Sequence, residues 1–207
     1  MRWALAAALI AGGFVVGWFG STDSGRAAMR TARDFPAMRR VEGFREELLM
    51  AAYESQLDPH LLAAILFSES SGRVNARSHA DALGLFQLML PTAKERAQVL
   101  GLPEPTEEQL LSDPLLNARL GADYFAWLLD RNDGNVERAL VAYNAGPTKL
   151  ARWVKEAGGY DAWREERLAA GNSSVLAYAA KVERYRDRFR ERGLFDANDL
   201  EQLGDGY

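Results

Sequence analysis

The sequence predicts an all-α domain behind an apolar N-terminal segment, on three observations. From Val41 onward, apolar residues recur at three- and four-residue steps, as helices with one buried face require. Asp58-Pro59 and Asp113-Pro114 each pair a capping acceptor with a first-turn proline, the signature of a helix start. Alternating patterns that would mark strands are nearly absent. At one domain per ~100–200 residues, a chain of 207 residues holds one domain and an appendage. Its 48% apolar and 26% charged residues are ordinary for a globular protein. A net charge of -4 and a pI near 5.4 argue against a nucleic-acid partner. The absence of cysteine removes disulfides, thiolate metal sites, a cysteine nucleophile and a lipidated anchor. Two histidines, His60 and His79, are too few for a multi-histidine metal site, so no metal is expected.

Taken in order, residues 4–20 form an uncharged apolar run after Arg2. As a helix this run spans ~25 Å, just short of the ~30 Å hydrocarbon core. It is either a short membrane anchor or a secretory signal. Trp18 and Phe19 stand where a signal peptidase prefers small residues and suit a membrane interface instead, which favours an uncleaved anchor. The arginines on its two sides, Arg2 against Arg26, Arg30 and Arg33, disagree on orientation. Residues 21–40 are small, polar and Arg-rich, without apolar period, and read as a tether. The domain proper is expected over 41–192, followed by an acidic tail at 193–207 that is a short helix or frayed. Phe44, Leu48, Leu49 and Ala52 share one helical face. Asp58-Pro59 opens a helix to about Ser70, and Asp113-Pro114 opens a long one through Leu116, Leu120, Trp127 and Leu128. Asn135 to Ala145, Thr148 to Glu156 and Ser173 to Arg190 give three more. Gly72 to Leu83 has no period and is expected to be a loop.

The chemistry begins at the end of the helix from Pro59. Its apolar stripe, Leu61, Leu62, Ile65 and Leu66, continues onto Glu69, which places a carboxylate on the buried face in the last turn. Burial and the negative end of the helix dipole both disfavour the ionised form and raise the pKa, as a general acid near neutral pH needs. The bland alternative is that Glu69 borders the core and turns outward. Further blocks follow: Ser70-Ser71, then Ser78, then Gly84-Leu85-Phe86-Gln87-Leu88-Met89 and Thr92-Ala93, and much later Ala142-Tyr143-Asn144-Ala145-Gly146-Pro147 with Trp153 behind it. These blocks, in this order, resemble the soluble lytic transglycosylase catalytic domain, a lysozyme-like fold that cleaves peptidoglycan. The resemblance spans roughly Glu46 to Arg190.

The resemblance implies roles for single residues. Glu69 matches the catalytic acid. Ser78 matches a serine that contacts the reacting sugar and the carboxylate. Gln87 and Met89 match groove-lining residues, and Phe86 takes the place of the family's methionine among these substrate-binding positions. Tyr143 matches the tyrosine near the acid, Asn144 its polar neighbour, and Tyr178 the tyrosine of a C-terminal block. Gln87 could instead cap a turn and Tyr143 pack with its hydroxyl in water, though the blocks favour the functional reading of both; Met89 could equally be core. The sequence departs from the family pattern at Gly72, often aromatic; at Val74, often proline; at Leu90-Pro91, where the proline is shifted by one; at Ser174, where many members have a bracing Glu; and at Asp81, usually glycine. Asp81 is either a turn residue tolerating a left-handed backbone or a second carboxylate.

The implied reaction uses one carboxyl. Glu69 protonates the glycosidic oxygen, the sugar's N-acetyl group helps stabilise the developing cation, and Glu69 then takes the proton of the sugar's own C6 hydroxyl as a 1,6-anhydro ring closes. No cofactor is expected. The implied partners are peptidoglycan strands, and the membrane through residues 4–20. That substrate places the domain in the cell envelope, on the periplasmic or exterior side of the cytoplasmic membrane. One rival is a muramidase of the same fold that hydrolyses with water through Asp81. Another is a catalytically weak peptidoglycan-binding part of an envelope or secretion assembly, which the anchor and Ser174 motivate and the presence of Glu69, Ser78, Gln87 and Tyr143 opposes.

Overall fold

The computed structural model describes residues 23–196 and 198–204. The apolar run 4–20 lies outside them. Among the described residues, no helix is long and apolar enough to cross a membrane. The chain divides into two compact units, residues 1–39 and 40–207. In the first, the stretch expected to be a tether is helical from Asp23: α1 covers Asp23–Glu42, with Pro36 inside it. Its alanines, arginines and methionines favour a helix even where the sequence shows no long apolar period.

The second unit is helical throughout, with α2 (Arg45–Ser55), α3 (Pro59–Ser70), α4 (Leu90–Val99), α5 (Glu107–Ser112), α6 (Pro114–Asp130), α7 (Val136–Ala145), α8 (Pro147–Ala157), α9 (Tyr160–Ala169), α10 (Ser174–Glu191) and α11 (Asp199–Gly204). The helix starts follow the capping chemistry read from the sequence. Asp58 accepts from the His60 N–H, Asp113 from Leu116, Asn135 from Arg138 and Ser173 from Leu176. Three helices lie outside the sequence reading: α4; short α5, although its Thr106/Gln109 capping box is a legible start; and α9, whose only buried side chain is Trp163.

Helix α3 is the centre. Every residue from Leu61 to Phe67 is buried, so this helix is apolar on all sides rather than along one stripe. It packs against α10 and α2; α2 in turn packs on α6, and α10 on α7. The expected loop after α3 has more order than its sequence suggests. Two isolated antiparallel bridges, Arg77 with Leu83 and Leu83 with Leu88, fold residues 77–88 back on themselves. The residues after Gly193 are also more than a tail. Leu194 and Phe195 are buried, His60 meets the Phe195 ring edge-on at 5.1 Å, and Arg45 holds the Leu194 carbonyl at 3.1 Å and Asp199 at 2.6 Å.

Candidate active site

Glu69 stands in the last turn of α3, just before Ser71 ends the helix in a left-handed conformation with φ 57°. It forms part of the wall of an open cleft of about 480 Å³, together with Ser78, Gln87, Met89, Tyr143 and Asn144. One sequence block after another thus arrives at one depression: the end of α3, the folded-back 77–88 segment, the start of α4 and the end of α7. The Tyr178 hydroxyl, on α10, donates to Glu69 Oε1 at 2.5 Å. One turn further along α10, Lys181 donates to the carbonyl of Ser68 at 3.3 Å.

Burial pushes the Glu69 carboxyl up to about 7; the Tyr178 hydrogen bond and the Lys181 charge act the other way and do not offset it. The C-terminal end of the α3 dipole acts in the same direction as burial. The same burial, with Glu69 nearby, drives the Tyr143 and Tyr178 phenols well above their ordinary range, so both stay protonated donors. The site therefore presents one carboxyl that is exchangeable near neutral pH, clamped from behind by a phenol.

The segment after α3 is built to reach this carboxyl. Gly72 follows the left-handed Ser71 with φ +76°, and a Cβ there would fall 2.8 Å from Arg40 Cβ. A side chain at this position has no room, which accounts for glycine where the resembled family often has an aromatic. Ser78 Oγ accepts from the Ala80 and Ala82 N–H groups at 3.2 and 3.0 Å, so the serine shapes its own turn as well as lining the cleft. Asp81 closes that turn, its N–H donating to the Ser78 carbonyl at 3.1 Å, with φ 60°. Its carboxylate is 75% exposed, pairs with Arg77 at 3.3 Å, and is not part of the cleft wall.

Gln87 has φ 49° and donates its amide nitrogen to the carbonyls of Ala76 and Gly84 at 3.1 and 2.9 Å. It is thus both turn cap and cleft wall. Met89 is 44% exposed on the rim, at the residue before α4, and not in the core. Asn144 is exposed and also lines the cleft. Phe86 is a correction. Expected among the substrate-binding positions, it is fully buried, packed so closely on α6 that a Cβ at Gly121 would fall 2.4 Å from its ring. The block alternates sides, so its large apolar member goes inward while Gln87 and Met89 face the cleft. The backbone of Phe86 does take part: its carbonyl accepts from the Tyr143 hydroxyl at 2.7 Å. Ser174 is exposed in the first turn of α10.

Sequence reasoning missed two residues on α6. Asn117 is fully buried; its side-chain oxygen accepts from the Phe86 N–H at 2.8 Å, and its nitrogen donates to the carbonyls of Leu83 and Leu110 at 3.1 and 3.0 Å. It fastens the folded-back segment to the helix beneath. Tyr124 lines the cleft with its ring 5.3 Å from that of Tyr143. Asn117, Gly121 and Tyr124 follow at spacings of four and three and so share one face of the helix, and that line was the available signal.

Residues 47–165 match the Transglycosylase SLT domain. Among curated proteins, the chain is 31% identical over 128 residues to a putative soluble lytic murein transglycosylase of Haemophilus influenzae, covering 62% of this chain and 21% of that protein. It is 35% identical over 137 residues to the transglycosylase of Enterobacteria phage PRD1, covering 65% and 47%. It is 33% identical over 138 residues to membrane-bound lytic murein transglycosylase F of Cellvibrio japonicus, covering 62% and 26%. The chain therefore spans from about a fifth to about half the length of these relatives. Among solved structures, an inactive mutant of the lytic transglycosylase Slt from Pseudomonas aeruginosa superposes with a TM-score of 0.64 at 28% identity, over 84% of this chain and 31% of that one. A 70-kDa soluble lytic transglycosylase in complex with bulgecin A gives a TM-score of 0.67 at 22% identity, over 94% and 32%, a likeness of fold. With its helices, its ordered blocks and more than half its length in register with that domain, the chain belongs to the Transglycosylase SLT domain family.

Proposed function

We propose that this chain is a peptidoglycan lytic transglycosylase, cleaving the β-1,4 bond from N-acetylmuramic acid to N-acetylglucosamine and leaving 1,6-anhydro-N-acetylmuramic acid ends. The observation that carries the reading is the Glu69 carboxyl on the cleft wall, titrating at about 7 because it is buried. In its protonated form Glu69 donates to the glycosidic oxygen, and the C1–O bond breaks with the electron pair going to that oxygen. The N-acetyl oxygen of the same sugar stabilises the cation left at C1. The resulting carboxylate then takes the proton of the C6 hydroxyl as O6 bonds to C1. Glu69 ends protonated, and no water is consumed.

Tyr178 positions the carboxyl, and Tyr143, fixed on the Phe86 carbonyl, forms the adjacent wall. Ser78, Gln87, Met89 and Asn144 are the substrate-binding side chains in this reading. Hydrolysis through Asp81 finds no support, because among the described residues the cleft wall carries no carboxylate besides Glu69. The relatives named as murein transglycosylases support the same substrate and the cell envelope as the place of action. The apolar run 4–20 supports a tether to the cytoplasmic membrane, and the proposed substrate, not the run, puts the domain on its outer side.

Purified sacculi digested with the chain and examined by mass spectrometry test the reading. Products ending in 1,6-anhydro-N-acetylmuramic acid are expected, and Glu69→Gln loses at least ~10²-fold in rate, the usual worth of a general acid. Reducing-end products, heavier by one water, would overturn it.

A further inference from the structure

The last turn of α3 does not close as a continuing helix would. Ser71 turns left-handed, and the Gly72 N–H, which helical geometry would give to the Ser68 carbonyl, donates to Ser70 Oγ at 3.2 Å instead. The Ser68 carbonyl, immediately before Glu69 in the chain, takes its hydrogen bond from Lys181 Nζ at 3.3 Å. The same ammonium stands over the Phe67 ring, 5.7 Å from its centroid. Helix α3 has no basic residue in its own last turn, so α10 supplies the cation that complements the negative end of its dipole. Lys181 follows Tyr178 by three residues and shares its face of α10. One helix thus delivers the phenol that holds the Glu69 carboxyl and the ammonium that holds the backbone behind it.

The other polar groups about this carboxyl are neutral. Tyr124 on α6, Tyr143 on α7 and Tyr178 on α10 are phenols whose burial lifts them above their ordinary range. Ser78 and Gln87, from the folded-back segment, carry no charge, and among the described residues the cleft wall holds no cation. The positive charge that acts on Glu69 therefore comes from outside the cleft wall, through Lys181.

We propose that Lys181 is a positioning residue for Glu69: it supplies the hydrogen bond that the end of α3 lacks, and its fixed charge steadies the carboxylate that Glu69 becomes on giving up its proton. The role rests on the function proposed above. The proton still passes between Glu69 and the sugar, and Lys181 keeps its own throughout.

Cleavage of a soluble tetrasaccharide of alternating N-acetylglucosamine and N-acetylmuramic acid, followed from pH 4 to pH 9, tests the role. Lys181→Met keeps an unbranched stem and loses the charge. It is expected to lower kcat roughly tenfold with KM within about twofold, the pattern of an interaction made in the transition state. It is also expected to move the alkaline limb of the pH–rate profile upward by about half a unit or more. Lys181→Arg is expected to leave the limb where the parent has it. Lys181→Gln, which keeps a donor without charge, is expected to move the limb as the methionine variant does, and it is read in that variant's place if the latter does not fold. Arg40→Gln is the control, because Arg40 Nε donates to the Ser71 carbonyl of the same turn at 3.0 Å from the exposed side; its limb is expected to stay put. A limb unmoved in the uncharged Lys181 variants overturns the proposal, as does one moved equally by Lys181→Arg or by Arg40→Gln.

Urea unfolding keeps this result apart from the fate of the proposed function. The stability lost in Lys181→Met is expected to be larger at pH 8 than at pH 4, because the charge is missed only once Glu69 is ionised. That increment is expected to vanish in a Glu69→Gln background. An increment that is absent beside the native Glu69, or that persists beside Gln, overturns the proposal. A parent that cleaves nothing sinks the proposed function, and the unfolding comparison still decides whether Lys181 acts on Glu69.

Discussion

The burial that makes Glu69 an acid has a cost that stability measurements can read. Folding moves this carboxyl from its ordinary 4.5 to about 7. The native state therefore binds a proton that the unfolded chain has already released. The sign follows: the contribution of this group to stability is intact below 4.5 and is lost as pH climbs through 7. At ~1.4 kcal/mol per tenfold change, the ionised carboxylate costs the fold about 3 kcal/mol. Glu69→Gln keeps the shape and the polar contact to Tyr178 but cannot ionise. Urea unfolding of parent and variant at pH 4 and pH 8 isolates the effect, because every other titrating group is common to both. The variant's advantage is expected to grow by about 3 kcal/mol between the two pH values, or by roughly 6–12 °C in melting temperature for a domain of this size. A difference that stays constant with pH to within about 0.5 kcal/mol would show that Glu69 titrates as an ordinary surface carboxyl, and the acid role would go with it.

The Tyr178 hydrogen bond draws the Glu69 carboxyl down, so Tyr178→Phe is expected to move the alkaline limb of the pH–rate profile upward; an unmoved limb would mean that the bond does not act on the acid. Asn117→Ala strands the Phe86 N–H and two carbonyls in the interior and is expected to cost about 3–5 kcal/mol in urea unfolding. A loss under about 1 kcal/mol would deny that Asn117 fastens the 77–88 segment. Asp81→Asn, at an exposed turn whose φ of 60° asparagine also tolerates, is expected to retain activity within about twofold; a folded but inactive variant would restore the hydrolytic alternative. Alkaline phosphatase fused after Arg40 is expected to be active in cells, and an inactive fusion alongside an active cytoplasmic reporter at the same joint would put the domain on the other side of the membrane.

What could be read in advance divides along physical lines. Helix starts marked by Asp58, Asp113, Asn135 and Ser173 were legible, because a cap is a local contract between one side chain and the next turn. Glu69 stood out through the ordered blocks more than through its stripe, since α3 is buried on all sides, and Tyr178 through its block. The order in residues 77–88 was not, since its two bridges are too brief to leave an alternating pattern. Asn117 was hidden for the opposite reason: a lone amide on a helix reads as surface, and only its three backbone partners, from 7 to 34 residues away, make it interior. Phe86 misled because block resemblance does not say which side of the chain each member faces. Helix α9 has one buried side chain and so almost no stripe to detect.

The clamp on Glu69 comes from a residue 109 positions later in the chain. A ribosome needs ~5–20 s to make such a stretch, at ~5–20 residues per second. Throughout that interval α10 does not exist, and α3 lacks the helix that packs on it most extensively. The site is complete only when the last long helix closes. A chain terminated before α10 therefore carries every earlier block of the site without the hydrogen bond that holds its carboxyl.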